Sequence, residues 1–113
     1  RRSFAEVRLR ERIDRLWLSI EWNWYCRDEE MLYWHWSPNC GWAMNCPVSG
    51  WNEGLLPYVL AAGSATHPIR AGAYHRGFAR EGQMSNGKSF YGTVLPLGPD
   101  YGGPLFLAQY SFC

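Results

Sequence analysis

Residues 4–24, FAEVRLRERIDRLWLSIEWNW, decide the fold class. Leu9, Ile13, Leu16, Trp17, Ile20 and Trp24 recur at three- and four-residue spacing, which lays them in one stripe of an amphipathic helix. Arg8, Glu11, Asp14 and Arg15 fall off the stripe. Glu6–Arg10 and Glu11–Arg15 are i,i+4 pairs in the favourable order, worth about 0.2–0.5 kcal/mol each. Ser3 stands as N-cap with Glu6 three residues on, the capping-box pattern. Trp22 points away from the stripe.

Arg27 to Glu30 is polar and ends that pattern. Residues 32–46, LYWHWSPNCGWAMNC, are aromatic and punctuated by Pro38 and Gly41, so they read as a hairpin-like or irregular loop. A second helix is expected over Ser49 to Ala62, with Leu55, Leu56, Val59 and Leu60 as its apolar positions. Ser49 would cap it, with Asn52 and Glu53 in its first turn. Pro57 is awkward there, because it lacks a backbone donor and clashes one turn back. Gly63 and Ser64 end this helix. A third is expected from Thr66-His67-Pro68 to about Arg80, stopped by Gly82. Residues 83–100 are rich in Gly and Pro, with an extended stretch from Ser89 to Leu95. Pro104 to Cys113 reads as a fourth helix. The expectation is an all-α fold of about four helices with long aromatic loops that carry the function, with room for one short β-hairpin.

Seven Trp and seven Tyr among 113 residues is a heavy aromatic load. A chain this small buries a modest share of its surface, so some rings pack on further segments or line a site. The net charge of +1 makes no case for nucleic acid or an anionic membrane. No apolar run approaches the ~20 residues that span a bilayer. The first residue is Arg1 and the last, Cys113, falls within an apolar run, so a domain incomplete at both ends is expected. Cys26, Cys40, Cys46 and Cys113 form no C-x-x-C pair. Buried free thiols are the main reading. A Cys40–Cys46 disulfide and a metal held by His35, Cys40 and Cys46 are the alternatives. No structural metal and no cofactor are expected.

Three segments carry the chemistry: YWHWSPNCGWAMN (33–45), GWNEGLLPYVLAAGSATHPI (50–69) and NGKSFYGTVLPLGPDYGGPLFLAQYSF (86–112). Trp34, Trp36, Trp42, Trp51, Tyr91 and Tyr101 can offer stacking platforms. His35, Asn45, Asn52, His67 and Gln109 supply hydrogen-bonding groups, and Glu53 and Asp100 are the carboxylates. Pyranose rings present apolar C–H faces to aromatics and hydroxyls to amides and carboxylates, so this set suits a sugar site. The competing reading makes the aromatics core and Glu53 an ordinary acid at a helix start. Glycoside hydrolysis needs one carboxylic acid at the leaving oxygen and a second carboxylate across the bond. Glu53 is the candidate acid. Trp51, Leu55 and Leu56 would raise its pKa by desolvation, whereas a helix N-terminus would lower it.

YWHWSPN, GWNE, the run into THPI, and LPLGPDYGGPLF with AQYSF resemble the signatures of the glycoamylase-like glycoside hydrolases, which include bacterial endo-β-1,2-glucanases. The likeness covers nearly the whole chain in order. It implies part of an (α/α)6 barrel and an inverting hydrolase acting on a β-1,2-glucan oligosaccharide or polysaccharide, in a periplasmic or secreted protein. It also implies that Glu53 is the catalytic acid. Trp34, His35, Trp36, Tyr101 and Gln109 would line the glucan cleft, with Trp42, Asn52, His67 and Asp100 as further substrate-binding residues. Asp100 is the in-chain candidate for the second carboxylate. Three positions depart from the pattern: Ala65 where Pro is expected, Cys46 where His is frequent, and Cys40 where an aromatic is usual. A carbohydrate-binding module without catalysis is the alternative function, and a small metal-stapled domain a third.

Overall fold

A computed structural model describes residues 4–111; the Ser3 cap and Cys113 lie outside them. Three α-helices are present: α1 Phe4–Ser19, α2 Leu55–Ala62 and α3 Leu105–Ser111. Between α2 and α3 lies a π-helix, Ala73–Phe78, and single 3₁₀ turns occupy Trp24–Cys26, Arg80–Gly82 and Asp100–Gly102. Strands β1 (Ser89–Phe90) and β2 (Thr93–Val94) pair antiparallel, Ser89 opposite Val94 and Phe90 opposite Thr93. Tyr91 and Gly92 between them have φ of 52° and 81°, the doubly positive backbone of a tight hairpin turn. The fold is therefore helical with one short hairpin inside the stretch expected to be extended.

The helix boundaries differ from the sequence expectation for local reasons. α1 stops at Ser19, whose hydroxyl donates to Leu16 O at 2.8 Å, five residues before Trp24. α2 begins at Leu55 because Asn52 closes an Asx turn, its Oδ1 accepting the Gly54 N–H at 2.8 Å. Pro57 then falls in the first turn, where no intrahelical donor is needed, and its awkwardness vanishes. Thr66 does not cap a third helix. Its hydroxyl donates to Leu18 O at 2.6 Å, tying the loop to α1, and helical backbone resumes only at residue 71.

The core gathers around Tyr58 and Phe78, both fully buried, with ring centroids 5.2 Å apart. Cys26, Leu32, Val48, Ala61, Ile69 and Ala73 complete it. The Tyr58 hydroxyl accepts the Leu32 N–H and donates to Val48 O, each at 2.8 Å. It thereby clasps both feet of the aromatic loop to α2. Gly77 lets the π-helix meet the Glu30–Met31 backbone: an added Cβ would sit 2.4 Å from Glu30 O. Arg76 pairs with Glu30 across the same contact. α1 contributes little to this core. Leu9, Ile13 and Leu16 remain 59%, 54% and 67% exposed, and α1 is moored by the Thr66 bond and by Trp17 Nε1, which donates to Leu60 O at 2.9 Å.

Candidate active site

The aromatic loop is a hairpin-like clasp. Trp34 N–H donates to Cys46 O at 2.9 Å and Val48 N–H to Leu32 O at 2.8 Å, with bridges at Tyr33–Pro47 and Ser37–Gly41. Gly41 takes φ of 55°, the left-handed backbone its turn requires. This closure puts the Trp34 indole, 55% exposed, on the same cleft as Glu53.

Glu53 lies just ahead of α2 rather than in its first turn, and it is half-buried. It shares a cleft of about 320 Å³ with Trp34, Met44, Cys46, Pro47, Val48 and Asn52. The walls around the acid are thus the aromatic loop, not the Leu55 and Leu56 that follow it in sequence. Asn52 spends its amide on the backbone: Nδ2 donates to Ser49 O at 3.1 Å, and Oδ1 holds the Gly54 N–H. These two bonds straddle Glu53 and fix its approach to the cleft. Chemically, the arrangement offers one carboxyl group and one indole face to a ligand large enough to span both.

The other expected site residues lie elsewhere. Trp42 and His67 line a separate cleft with Trp24, Arg27 and Asp28. Trp36 meets Trp24 edge-on at 5.5 Å, and His35 is exposed. Asp100 sits on the loop after the hairpin, where Lys88 Nζ approaches to 2.9 Å and Asn86 Nδ2 to 3.2 Å. The Lys88 ammonium and then the Asn86 amide hold the Asp100 carboxyl below its ordinary value. Tyr101 packs on Phe90 with centroids 4.5 Å apart and stays 71% exposed. This loop reaches the Glu53 segment through Gly98, where an added Cβ would lie 2.6 Å from the Trp51 ring. Gln109 is an exposed position of α3.

Several lining residues escaped sequence reasoning. Met44 and Val48 look like filler until the loop closes on itself. Arg27 and Asp28 read as a polar turn, although two successive non-glycine residues at φ of 52° and 63° mark a constrained backbone. The cysteine expectation holds at Cys26, whose thiol is buried and pushed up by that burial. At Cys40 and Cys46 the thiols are free as expected but exposed rather than buried, since both belong to the aromatic loop. Among the described residues no group of three His, Cys, Asp or Glu side chains gathers to hold a metal, and no helix is long and apolar enough to cross a membrane.

Comparison with known proteins places this arrangement in context. The Glycoamylase family model, described as "Putative glucoamylase", matches residues 45–113. An exo-β-1,2-glucooligosaccharide sophorohydrolase (non-reducing end) of Parabacteroides distasonis is 36% identical over 126 aligned residues, which take in 95% of this chain and 18% of that protein. The endo-β-1,2-glucanase of Chitinophaga pinensis, solved with sophorotriose and glucose, superposes at a TM-score of 0.87 with 46% identity, over 97% of this chain and 27% of its own. A β-1,2-glucanase structure from Parabacteroides distasonis gives 0.85 with 34% identity, over 99% of this chain and 19% of its own. The chain thus spans roughly a fifth to a quarter of the length of these relatives. A family match that runs through Glu53, the Gly98 loop and α3, on a backbone that solved members share, establishes that this chain belongs to the glycoamylase family.

Proposed function

We propose that this chain is part of a glycoside hydrolase catalytic domain that cleaves β-1,2-glucan, with Glu53 as the general acid of an inverting reaction. The observation that carries the reading is the cleft itself: half-buried Glu53 and the exposed Trp34 line it together, and Asn52 binds the backbone on either side of Glu53. The relatives' β-1,2-glucan activities supply the substrate class. Trp34 stacks a glucose ring, and Glu53 delivers its proton to the glycosidic oxygen as the bond breaks. An ionised carboxylate on the opposite face activates the water. In inverting enzymes the two carboxyl groups stand about 6.5–9.5 Å apart, which leaves room for that water. Asp100, held ionised by Lys88, is the in-chain candidate for the base by residue type; it lies outside the Glu53 cleft, so the remainder of the domain is the other source of that carboxylate. In the whole protein these helices form an arc of an (α/α)6 barrel whose open end holds the cleft. The acid in the cleft favours this reading over a binding module, which needs no proton donor.

The test is a chimaera in which this chain replaces the corresponding segment of the Chitinophaga pinensis enzyme. Glu53→Gln keeps shape and hydrogen bonding but removes the transferable proton. General acid catalysis contributes about 10²–10⁴-fold, so kcat on β-1,2-glucan should fall at least roughly a hundredfold with KM little changed. A folded Glu53→Gln chimaera with near wild-type kcat would sink the assignment.

A further inference from the structure

We infer that an apolar pocket adjoining the Glu53 cleft receives an uncharged aryl or alkyl group carried on the sugar bound in that cleft. The sugar rests on the hydrolase reading above; the pocket rests on its own geometry. Ile20, Trp22, Tyr25, Leu32 and Pro57 line it, and it measures about 360 Å³, within the range of about 300–1,000 Å³ for small-molecule sites. Trp34 and Val48 line both this pocket and the Glu53 cleft. Gly54, the residue after Glu53, lines the pocket too. The two spaces therefore share a wall, and a ligand with one polar and one apolar half spans them.

The walls select the occupant. Among the described residues no charged side chain lines the pocket. Its backbone groups are spent on one another: Tyr33 N–H donates to Tyr25 O at 3.0 Å and Val48 N–H to Leu32 O at 2.8 Å. The Tyr58 hydroxyl takes up Leu32 N–H and Val48 O, and the Tyr33 hydroxyl donates to Glu29 Oε2 at 2.6 Å. Trp22 Nε1 is fully covered and out of a ligand's reach. A sugar ring would strand its hydroxyls in such a space, and an ion would lose its hydration without a partner. An aryl or alkyl group gains by leaving water there. Leu32 and Val48, 4% and 8% exposed, belong to the buried core, so the Tyr58 clasp holds this part of the wall in place. The carboxyl group lies in the neighbouring cleft alone. Glu53 thus meets the polar half of the ligand while the pocket takes the apolar half.

The experiment is equilibrium dialysis of the 113-residue chain against 2-naphthol, methyl β-sophoroside and 2-naphthyl β-sophoroside. The naphthyl sophoroside should bind at least tenfold tighter than the methyl sophoroside, and tighter than 2-naphthol. Ile20→Glu sets a charge in the pocket at a position outside the buried core cluster and should erase the naphthyl gain. Pro57→Glu is the second variant, since a carboxylate suits the first turn of α2. Met44→Ala, which alters the Glu53 cleft and not the pocket, should leave 2-naphthol binding unchanged. Naphthyl uptake that is equal in wild type and in both folded variants is adsorption to general apolar surface and overturns the pocket. So does 2-naphthol binding that Met44→Ala abolishes and Ile20→Glu spares. 2-Naphthol bound with no gain from its sophoroside overturns the link to the sugar cleft. Loss of 2-naphthol binding in the Chitinophaga pinensis chimaera shows that the rest of the domain fills the space, and also overturns it. A 2-naphthyl β-cellobioside that binds as tightly upholds the pocket and counts against the β-1,2-glucan reading. A fully active Glu53→Gln chimaera sinks the hydrolase assignment and leaves the pocket standing.

Discussion

Two side chains act on the site through hydrogen bonds. Asn52 bonds to Ser49 O and the Gly54 N–H on either side of Glu53, and a positioning role predicts a definite kinetic pattern. Asn52→Ala should lower kcat of the chimaera about 10- to 100-fold, since small misplacements of a catalytic group cost that much, and leave KM nearly unchanged. Asn52→Asp, which keeps the acceptor for the Gly54 N–H, should recover much of the loss. A substrate-binding role would instead raise KM in both variants. Tyr58 holds the other wall. Burial pushes its phenol up to about 12, above the ordinary value of 10.0. The folded state therefore keeps the proton that the unfolded state gives up, and this contribution is complete below about pH 10 and lost as pH rises to about 12. The buried Cys26 thiol, also raised, adds a loss that begins nearer pH 9. Thermal melts from pH 8 to 12 should show a steep alkaline decline in wild type. Tyr58→Phe should melt lower at pH 8, by about 1–3 kcal/mol for the stranded Leu32 and Val48 backbone groups, and decline less steeply above pH 10.

At the scale of elements, periodicity revealed α1 and the apolar run of α2, because spacing alone fixes which residues share a face. The ends were hidden, because side chains set them through partners that sequence does not display. Thr66 looks like a cap but reaches Leu18, and Asn52 looks like a first-turn residue but closes the turn before the helix. The site was legible as a set of residue types and as the W-N-E segment. Its division into two clefts was not, since that depends on how the loop at residues 33–47 folds back on Trp24. Nor was the π-helix, which arises where Gly77 meets the Glu30 backbone. Gly77→Ala forces Cβ into backbone atoms that cannot yield, and should destabilise the chain by about 1–3 kcal/mol. Gly63→Ala is its control: φ is −82° and the nearest atom lies at 3.4 Å, so the change should stay within about 0.5 kcal/mol. Denaturant titration of both variants measures the contrast, and equal losses would refute the crossing argument.

The whole molecule is spread out. Its radius of gyration is 16.9 Å, against ~13 Å for a compact domain of this length. Leu9, Ile13 and Leu16 on α1, and Leu56, Val59 and Leu60 on α2, keep large apolar surfaces in water. Surface of this kind drives association. Sedimentation velocity should show the isolated chain self-associating with rising concentration, and Leu9→Lys with Ile13→Lys should shift it toward monomer at unchanged helix content. A monomeric wild-type chain at high concentration would contradict this. The mooring of α1 has a further consequence. Its links to the rest include side-chain hydrogen bonds from Trp17 and Thr66, and no residue of the buried core cluster belongs to it. Its opening as a unit while the Tyr58–Phe78 core stays shut is the expected sub-global fluctuation. Arg8, Arg10, Arg12 and Arg15 all lie on that helix, so a trypsin-like protease meets its cleavage points in the segment that opens first, and trimming would shed α1 and spare both clefts.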